Sequence, residues 1–256
     1  MRYVDTERPT DEQVRLLYQV QEDLYQKISE NLSDYDIRLI GGTALSRCYL
    51  NHRISFDIYI SINPDDRIAL KKILALTQIP NVTLLNTSAL NDKNYSFSFF
   101  RYRQSNLNVE FSVVEDRMFQ YYEPSTQVMG NTQVNTVTLK TLYLNKIRTI
   151  AGDMPGFARQ KLRDVFDVFV LSKECSPISD FLVEIEQKIP FLCQDRFYEN
   201  LSSMPWYDFF SEKIFAIGKW QNFEEIDKLS NALYAEASME QVDEDGQSPR
   251  PEGRGL

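Results

Sequence analysis

Residues 39–60 read Leu-Ile-Gly-Gly-Thr-Ala-Leu-Ser-Arg-Cys-Tyr-Leu-Asn-His-Arg-Ile-Ser-Phe-Asp-Ile-Tyr-Ile, and they combine two chemical devices. The first is Gly41-Gly42-Thr43, which follows the apolar pair Leu39-Ile40 and precedes a helix-like stretch. Glycines between a strand and a helix let backbone N–H groups approach a phosphate, and the positive end of the helix favours the anion. The second is Asp57, inside the alternating segment His52-Arg53-x-Ser55-x-Asp57-x-Tyr59, which reads as a strand. A carboxylate placed there can hold the magnesium that accompanies a phosphate. Glycine turn plus strand carboxylate is the minimum set for nucleotidyl transfer. The alternative for Asp57 alone is a solvent-facing acid on an edge strand.

The same segment resembles the N-terminal signature of the nucleotidyltransferases of the DNA polymerase β superfamily. More narrowly it resembles the AbiEii/AbiGii-type toxin family, whose pattern is close to Gly-Gly-Thr-Ala-Leu, a gap, then His-Arg-x-Ser-x-Asp-Ile-Asp-Leu. Gly41, Gly42, Thr43, Ala44, Leu45, His52, Arg53, Ser55, Asp57 and Ile58 fit. Tyr59 does not, because the family carries its second aspartate there. The resemblance implies an α+β fold: a mixed nucleotidyltransferase sheet flanked by helices, followed by a C-terminal helical bundle. It also implies an NTP substrate, transfer of NMP to an acceptor hydroxyl on tRNA, other RNA or protein, and a cognate antitoxin. Gly41, Gly42, Thr43 and Arg53 fall to phosphate binding, and Asp57 to Mg2+.

Glu110, in Asn108-Val109-Glu110-Phe111-Ser112-Val113, is the candidate third acid. Strand alternation puts Val109, Phe111 and Val113 on one face and Glu110 and Ser112 on the other. By resemblance such a residue coordinates the catalytic metal or accepts a proton; a polar-face strand glutamate is the plain alternative. Tyr59 complicates the pair, since a phenol with a reference pKa of about 10 stays neutral and ligates magnesium poorly. Two carboxylates where three are expected imply a weakened Mg2+ site. An active enzyme with a rearranged site and a non-catalytic binding relative both stay open.

The helical half carries a second echo. Lys161-Leu162-Arg163-Asp164-Val165-Phe166-Asp167 resembles the family's Arg-x-Lys-Asp-x-x-Asp segment, and Lys146 matches the lysine of an earlier helix. The resemblance gives Lys146 and Arg163 the triphosphate charge and makes Asp164 the group that orients them or a substrate group. The alternative is a helix face whose charges pair internally, Lys161 with Asp164 and Arg163 with Asp167. His52 reads as a backbone-bonding residue, Arg53 as a support for the glycine turn or a partner of Asp57, and Arg47 as a solvated helix arginine. The aromatic alternation from Tyr95 to Tyr102 reads as core rather than as a base-stacking platform.

The elements that must position these groups are legible to different degrees. Thr10 caps, Gln13 completes a capping box, and Val14, Leu17, Val20, Leu24 and Ile28 form a stripe, so a helix is predicted over 11–32. Strands are predicted over 36–40, 54–62, 81–86, 94–103 and 107–114, with Asn106 in a hairpin turn. Helices are predicted over 43–50 and from Asn63-Pro64-Asp65-Asp66 to Thr77. Helical spacing returns over 138–151, 157–173, 178–190 and 221–238. This divides the chain into an α/β domain over 1–135, a helical domain over 136–239 and a disordered tail over 240–256.

Composition narrows the class. The chain has 256 residues, 43% of them hydrophobic, and a net charge of −9, which excludes a long duplex footprint by bulk electrostatics. A local excess of base lies in Lys140, Lys146, Arg148, Arg159, Lys161 and Arg163, set against Asp153, and suits a nucleotide pocket. Cys48, Cys175 and Cys193 lack metal spacing, and His52 is the only histidine. The cysteine usage points to a reducing, cytoplasmic setting. No apolar run approaches the roughly 20 residues of a membrane helix.

Overall fold

The computed structural model describes residues 7–63, 74–89, 95–152, 161–188, 194–206 and 208–238. These fall into two compact units: residues up to Lys146 together with Glu212–Gln221, and Ile147–Ser211 together with the residues from Asn222 on. The predicted helix start at Pro64-Asp65-Asp66, the residues Asp153, Arg159, Pro190 and Cys193, and the tail over 240–256 lie outside the described residues.

The first unit begins with helix α1, Asp11–Asn31. The Thr10 side chain accepts from the Gln13 amide, the Gln13 side chain accepts from the Thr10 amide, and both bonds of the capping box are present. The stripe of Leu17, Val20, Leu24 and Ile28 is buried. Strand β1 (Ile37–Ile40) runs into helix α2 (Gly41–Ala44), which continues as a π-helical turn over Leu45–Leu50. Then come β2 (Ile58–Ile62), β3 (Val82–Ala89), β4 (Tyr95–Gln104), β5 (Leu107–Asp116), β6 (Pro124–Met129) and β7 (Thr132–Val137). They form one mixed sheet in the order β3-β4-β5-β2-β1-β7-β6. β2 is antiparallel to β1 and parallel to β5, and β1 is parallel to β7.

The register sorts the sheet into two unlike faces. One carries Leu39, Ile58, Ile60, Val109, Phe111 and Phe100, all buried, with the Phe100 and Phe111 rings stacked at 4.8 Å. Helix α1 covers this face: Tyr102 donates to Asp23 of α1 at 2.7 Å, and Tyr25 of α1 accepts from the Asn135 amide at 2.8 Å. The opposite face carries Ile40, Tyr59, Ser112, Glu110, Phe99 and Arg101, most of them only half-buried. The candidate chemistry lies on this second face.

Several sequence expectations are corrected here. The helix after β1 starts at Gly41 rather than at residue 43. The strand predicted over 54–62 begins only at Ile58, because residues 52–54 pair elsewhere: Ile54 donates to the Phe215 carbonyl at 2.9 Å and Ile217 donates to the His52 carbonyl at 2.8 Å. The hairpin β6–β7 has no counterpart in the sequence reading. Its outer strand is largely polar and buries only Met129, so it carries no hydrophobic signal. Residues Ser105 and Asn106, both with positive φ, form the β4–β5 turn in which Asn106 was expected.

Helix α3, Leu139–Ala151, contains the division between the units, after Lys146. The second unit continues with α4 (Leu162–Glu174), α5 (Ile178–Lys188), α6 (Gln194–Ser202) and α7 (Ile226–Ser238). Its core includes Phe166, Phe169, Phe181, Phe197, Leu229 and Leu233. The Trp206 indole donates to the Tyr234 hydroxyl at 2.8 Å, and Glu236 of α7 ion-pairs with Lys173 of α4. Helix α6 is absent from the sequence reading because only Phe197 and Leu201, one turn apart, make up its buried side.

Candidate active site

The chain enters the site through Gly41, which has φ +76° and joins β1 to α2. A side chain at that φ costs roughly 1–2 kcal/mol, so glycine is the residue the turn requires. Gly42 is required for a different reason. A Cβ there would overlap Nη2 of Arg53 and come within 3.1 Å of Ser55 Oγ. Arg53 is 5% exposed, and its guanidinium lies against the turn, with Nη1 donating to the Ile54 carbonyl at 3.2 Å. Arg53 thus lies directly against the glycine turn.

Hydroxyl bonds complete the scaffold. Buried Thr43 donates to the Asp57 carbonyl and lies 3.0 Å from Ser55 Oγ. Ser46 donates to the Arg53 carbonyl, and Gln21 of α1 donates to the Ser55 carbonyl at 2.8 Å. Thr43 and Ser46 thus tie the first helical turns to the segment leading into β2, and Asp57 is set at its head by main-chain bonds. Arg47 corrects the expectation of a solvated arginine. Its side chain is 7% exposed and ion-paired with Glu22 at 2.6 Å, and its guanidinium lies over the Tyr18 ring, 3.8 Å from the centroid. Burial raises the Tyr18 hydroxyl above its ordinary range, opposed by Arg47 and Arg53. Burial likewise pushes the Cys48 thiol up to about 11, which makes it an inert packing residue at neutral pH.

The carboxylates form a row across the half-buried face. β2 and β5 pair Ile58 with Phe111 and Tyr59 with Ser112, so Asp57 and Glu110 each directly precede the first paired residue of their strand. On the other side of β5, Glu110 pairs with Arg101 of β4, and the Arg101 Nη2 donates to Glu110 Oε1 at 2.9 Å. Tyr59 lies one row along. Its ring packs against Gly41, with Cδ2 and Cβ 3.4 and 3.5 Å from where a Gly41 Cβ would stand. Phe97 and Phe99 occupy the same face of β4 and stack on one another at 6.2 Å, whereas Phe100 and Tyr102 point to the buried face. Of the run's described side chains, Phe100 and Tyr102 are core and Phe97 and Phe99 are not.

Two comparisons bear on this arrangement. The model of the nucleotidyl transferase AbiEii toxin family, of the type IV toxin–antitoxin system, matches residues 22–241. The chain belongs to the AbiEii toxin family. The match spans the glycine turn, the carboxylate row and the α4 segment together. Among solved structures, a candidate nucleotidyltransferase from H. pylori superposes with a TM-score of 0.54 at 14% identity, covering 94% of this chain and 100% of that one. JHP933 from Helicobacter pylori gives 0.49 at 15% identity, covering 93% and 97%. An antigenic nucleotidyltransferase-like protein from Paracoccidioides brasiliensis gives 0.41 at 19% identity, covering 71% and 92%. No curated protein matches the chain. The first of these likenesses supports the nucleotidyltransferase fold.

Nucleotidyltransferases of this kind typically use a divalent metal, but the residues present do not fit a two-ion centre. Among the described residues no group of three or more His, Cys, Asp or Glu is placed to hold a metal. Tyr59, which the sequence resemblance sets at the second aspartate, packs against Gly41, and Glu110 is engaged by Arg101. The remaining sequence candidates lie on helices. Lys146 is buried on α3 in the first unit. Arg163 and Asp164 lie in the first turn of α4 in the second unit. Asp164 is 2% and Asp167 0% exposed, so both acids of this segment are buried. Among the described residues no helix is long and apolar enough to cross a membrane.

The residue that sequence reasoning missed is Arg101. The Ser105-Asn106 turn could have found it, because counting back from Gln104↔Leu107 makes Arg101↔Glu110 the fourth pair of the hairpin.

Proposed function

We propose that this AbiEii-family chain binds an NTP at the Gly41-Gly42-Thr43 turn and transfers its NMP to an acceptor hydroxyl on tRNA, another RNA or a protein. It acts in the cytoplasm as the toxin of a toxin–antitoxin pair, with a cognate antitoxin as partner. The observation that carries this reading is the buttressed glycine turn, whose Thr43 bonds directly to the main chain at Asp57. Main-chain N–H groups of the turn take the phosphate oxygens, and Arg53 keeps the turn in shape from below. By motif, Asp57 and Glu110 are the acids of the site, either of which would hold Mg2+. By motif, Lys146 and Arg163 neutralise the triphosphate and Asp164 orients them.

A second reading, nucleotide or partner binding without transfer, is favoured by the Tyr59 ring on Gly41 and by the Arg101–Glu110 pair. The two are separated by label transfer from α-labelled NTPs to total tRNA and to protein, using the unaltered chain, Asp57→Ala and Tyr59→Asp. Transfer by the unaltered chain that disappears in Asp57→Ala is the expected result. A silent unaltered chain with an active Tyr59→Asp variant establishes the second reading, and silence of all three removes the enzyme.

A further inference from the structure

Along the half-buried face of β4, Phe97, Phe99, Arg101 and Arg103 follow one another at every second residue, roughly 7 Å per step. Phe97 and Phe99 are half-buried, and their rings stack at 6.2 Å with planes only 15° apart. Packing accounts for an aromatic ring that is covered, as Phe100 is on the opposite face at 0% exposure. Here two near-parallel rings keep part of their surface in water. Arg101 is held by Glu110, but Arg103 is exposed and enters no ion pair among the described residues. Strands β3 and β4 carry these two arginines and no acid, in a chain of net charge −9. On β3, Asn86 pairs with Phe99 and Thr83 with Arg101, and both are exposed. They add an amide and a hydroxyl beside the rings, groups that can meet the edge of a base.

The register ties this face to the glycine turn. Ile40, which precedes Gly41, pairs with Tyr59, Tyr59 with Ser112, and Ser112 with Phe99. Phe99 therefore stands in the same row as the start of the turn, with β2 and β5 between them. In phosphoryl-group transfer the attacking and leaving oxygens lie in line on opposite sides of the phosphorus. With the triphosphate on the turn after β1, the acceptor comes from the side of β5 and β4. We propose that the β4 face seats the acceptor: Phe97 and Phe99 stack successive unpaired bases of an RNA strand, and Arg103 takes a backbone phosphate. This rests on the reading of the glycine turn as an NTP site. An aromatic ring accepts any base through its π-face, whereas bases inside a duplex keep their faces for each other. The face therefore selects unpaired RNA over a protein acceptor, which offers neither a base plane nor a phosphate.

Fluorescence polarisation of a labelled short single-stranded RNA, with the same RNA annealed to its complement alongside, tests this on the full chain. The unaltered chain is expected to prefer the single strand about tenfold, the scale of one base–aromatic stack. Phe97→Leu and Phe99→Leu keep apolar bulk without a π-face, and each weakens single-strand binding about tenfold. Phe99→Tyr, which keeps the π-face, stays close to the unaltered chain. Arg103→Gln lowers the slope of log affinity against log salt by about 0.7, one phosphate contact on a single strand. This exposed substitution carries the test if both leucine variants fail to give a native circular dichroism spectrum. Unchanged RNA binding in both folded leucine variants overturns the proposal, as does an unchanged salt slope in Arg103→Gln. Equal affinity for single strand and duplex, or no RNA binding at all, overturns it too. Binding of a labelled NTP is followed separately. RNA binding that depends on the rings without any NTP binding sinks the NTP reading alone, whereas NTP binding with ring-independent RNA binding sinks this proposal alone. NTP binding that falls in Phe99→Leu while RNA binding does not assigns the ring to the donor's base and likewise overturns it.

Discussion

The glycine turn and the carboxylate row meet on neighbouring strands, and they are held in opposite ways. Around Gly42 the polar side chains are buried and committed: Thr43 and Ser46 to backbone carbonyls, Arg53 under the turn, Gln21 to the Ser55 carbonyl. Around Asp57 and Glu110 the side chains are half-buried and charged, and a tyrosine and an arginine stand among the acids. The difference teaches where this AbiEii-family site tolerates change. A backbone cradle is specified by shape, so a single methyl group disturbs it. A row of half-buried charges is specified by pairing across the strands, as Arg101 and Glu110 show.

Three substitutions sharpen or break that contrast. Arg53→Ala leaves a buried space under the turn and an unpaired Ile54 carbonyl, and is expected to lower stability by about 3 kcal/mol, read from the urea midpoint at constant m-value. Arg53→Lys recovers less than half of that loss, because a point charge does not fill a planar slot. Gly41→Ala forces a side chain onto a φ of +76° and is expected to lose about 1 kcal/mol in the same titration, with NTP binding weakened alongside. Arg101→Ala removes a partly exposed pair and is expected to change stability by only about 0.5 kcal/mol. If Arg101→Ala destabilises as much as Arg53→Ala, the row is structural like the turn and the contrast fails.

How much of this was legible follows from what each element rests on. The α1 helix and its cap, the β1–α2 junction and the β4–β5 turn carry local signals: a capping box, a glycine pair, a turn dipeptide. The front motif named the family before any coordinate did, and the family model covers it. The β6–β7 hairpin and α6 were illegible because their buried faces are too small to make a period. Arg47 and Arg53 looked alike in sequence, as basic residues near a glycine turn, and only tertiary packing separates the Glu22 anchor from the turn support. Tyr59 was visible as a missing ligand. Its ring against Gly41 was not, because nothing local says which way a strand tyrosine leans.

One pairing described above has a consequence for the birth of the molecule. Residues 52–54 exchange main-chain bonds with Phe215 and Ile217, and Arg8 donates to the Ala216 carbonyl at 2.7 Å. The segment that backs the glycine turn is therefore translated long after the turn itself. A ribosome that has made the whole seven-stranded sheet has still not delivered the strip that closes the loop around His52 and Arg53. Domains fold as units during synthesis, and this unit stays unfinished until the second one has been threaded almost to its last helix. A chain stopping short of residue 215 therefore lacks the main-chain partners that His52 and Ile54 have in the finished fold.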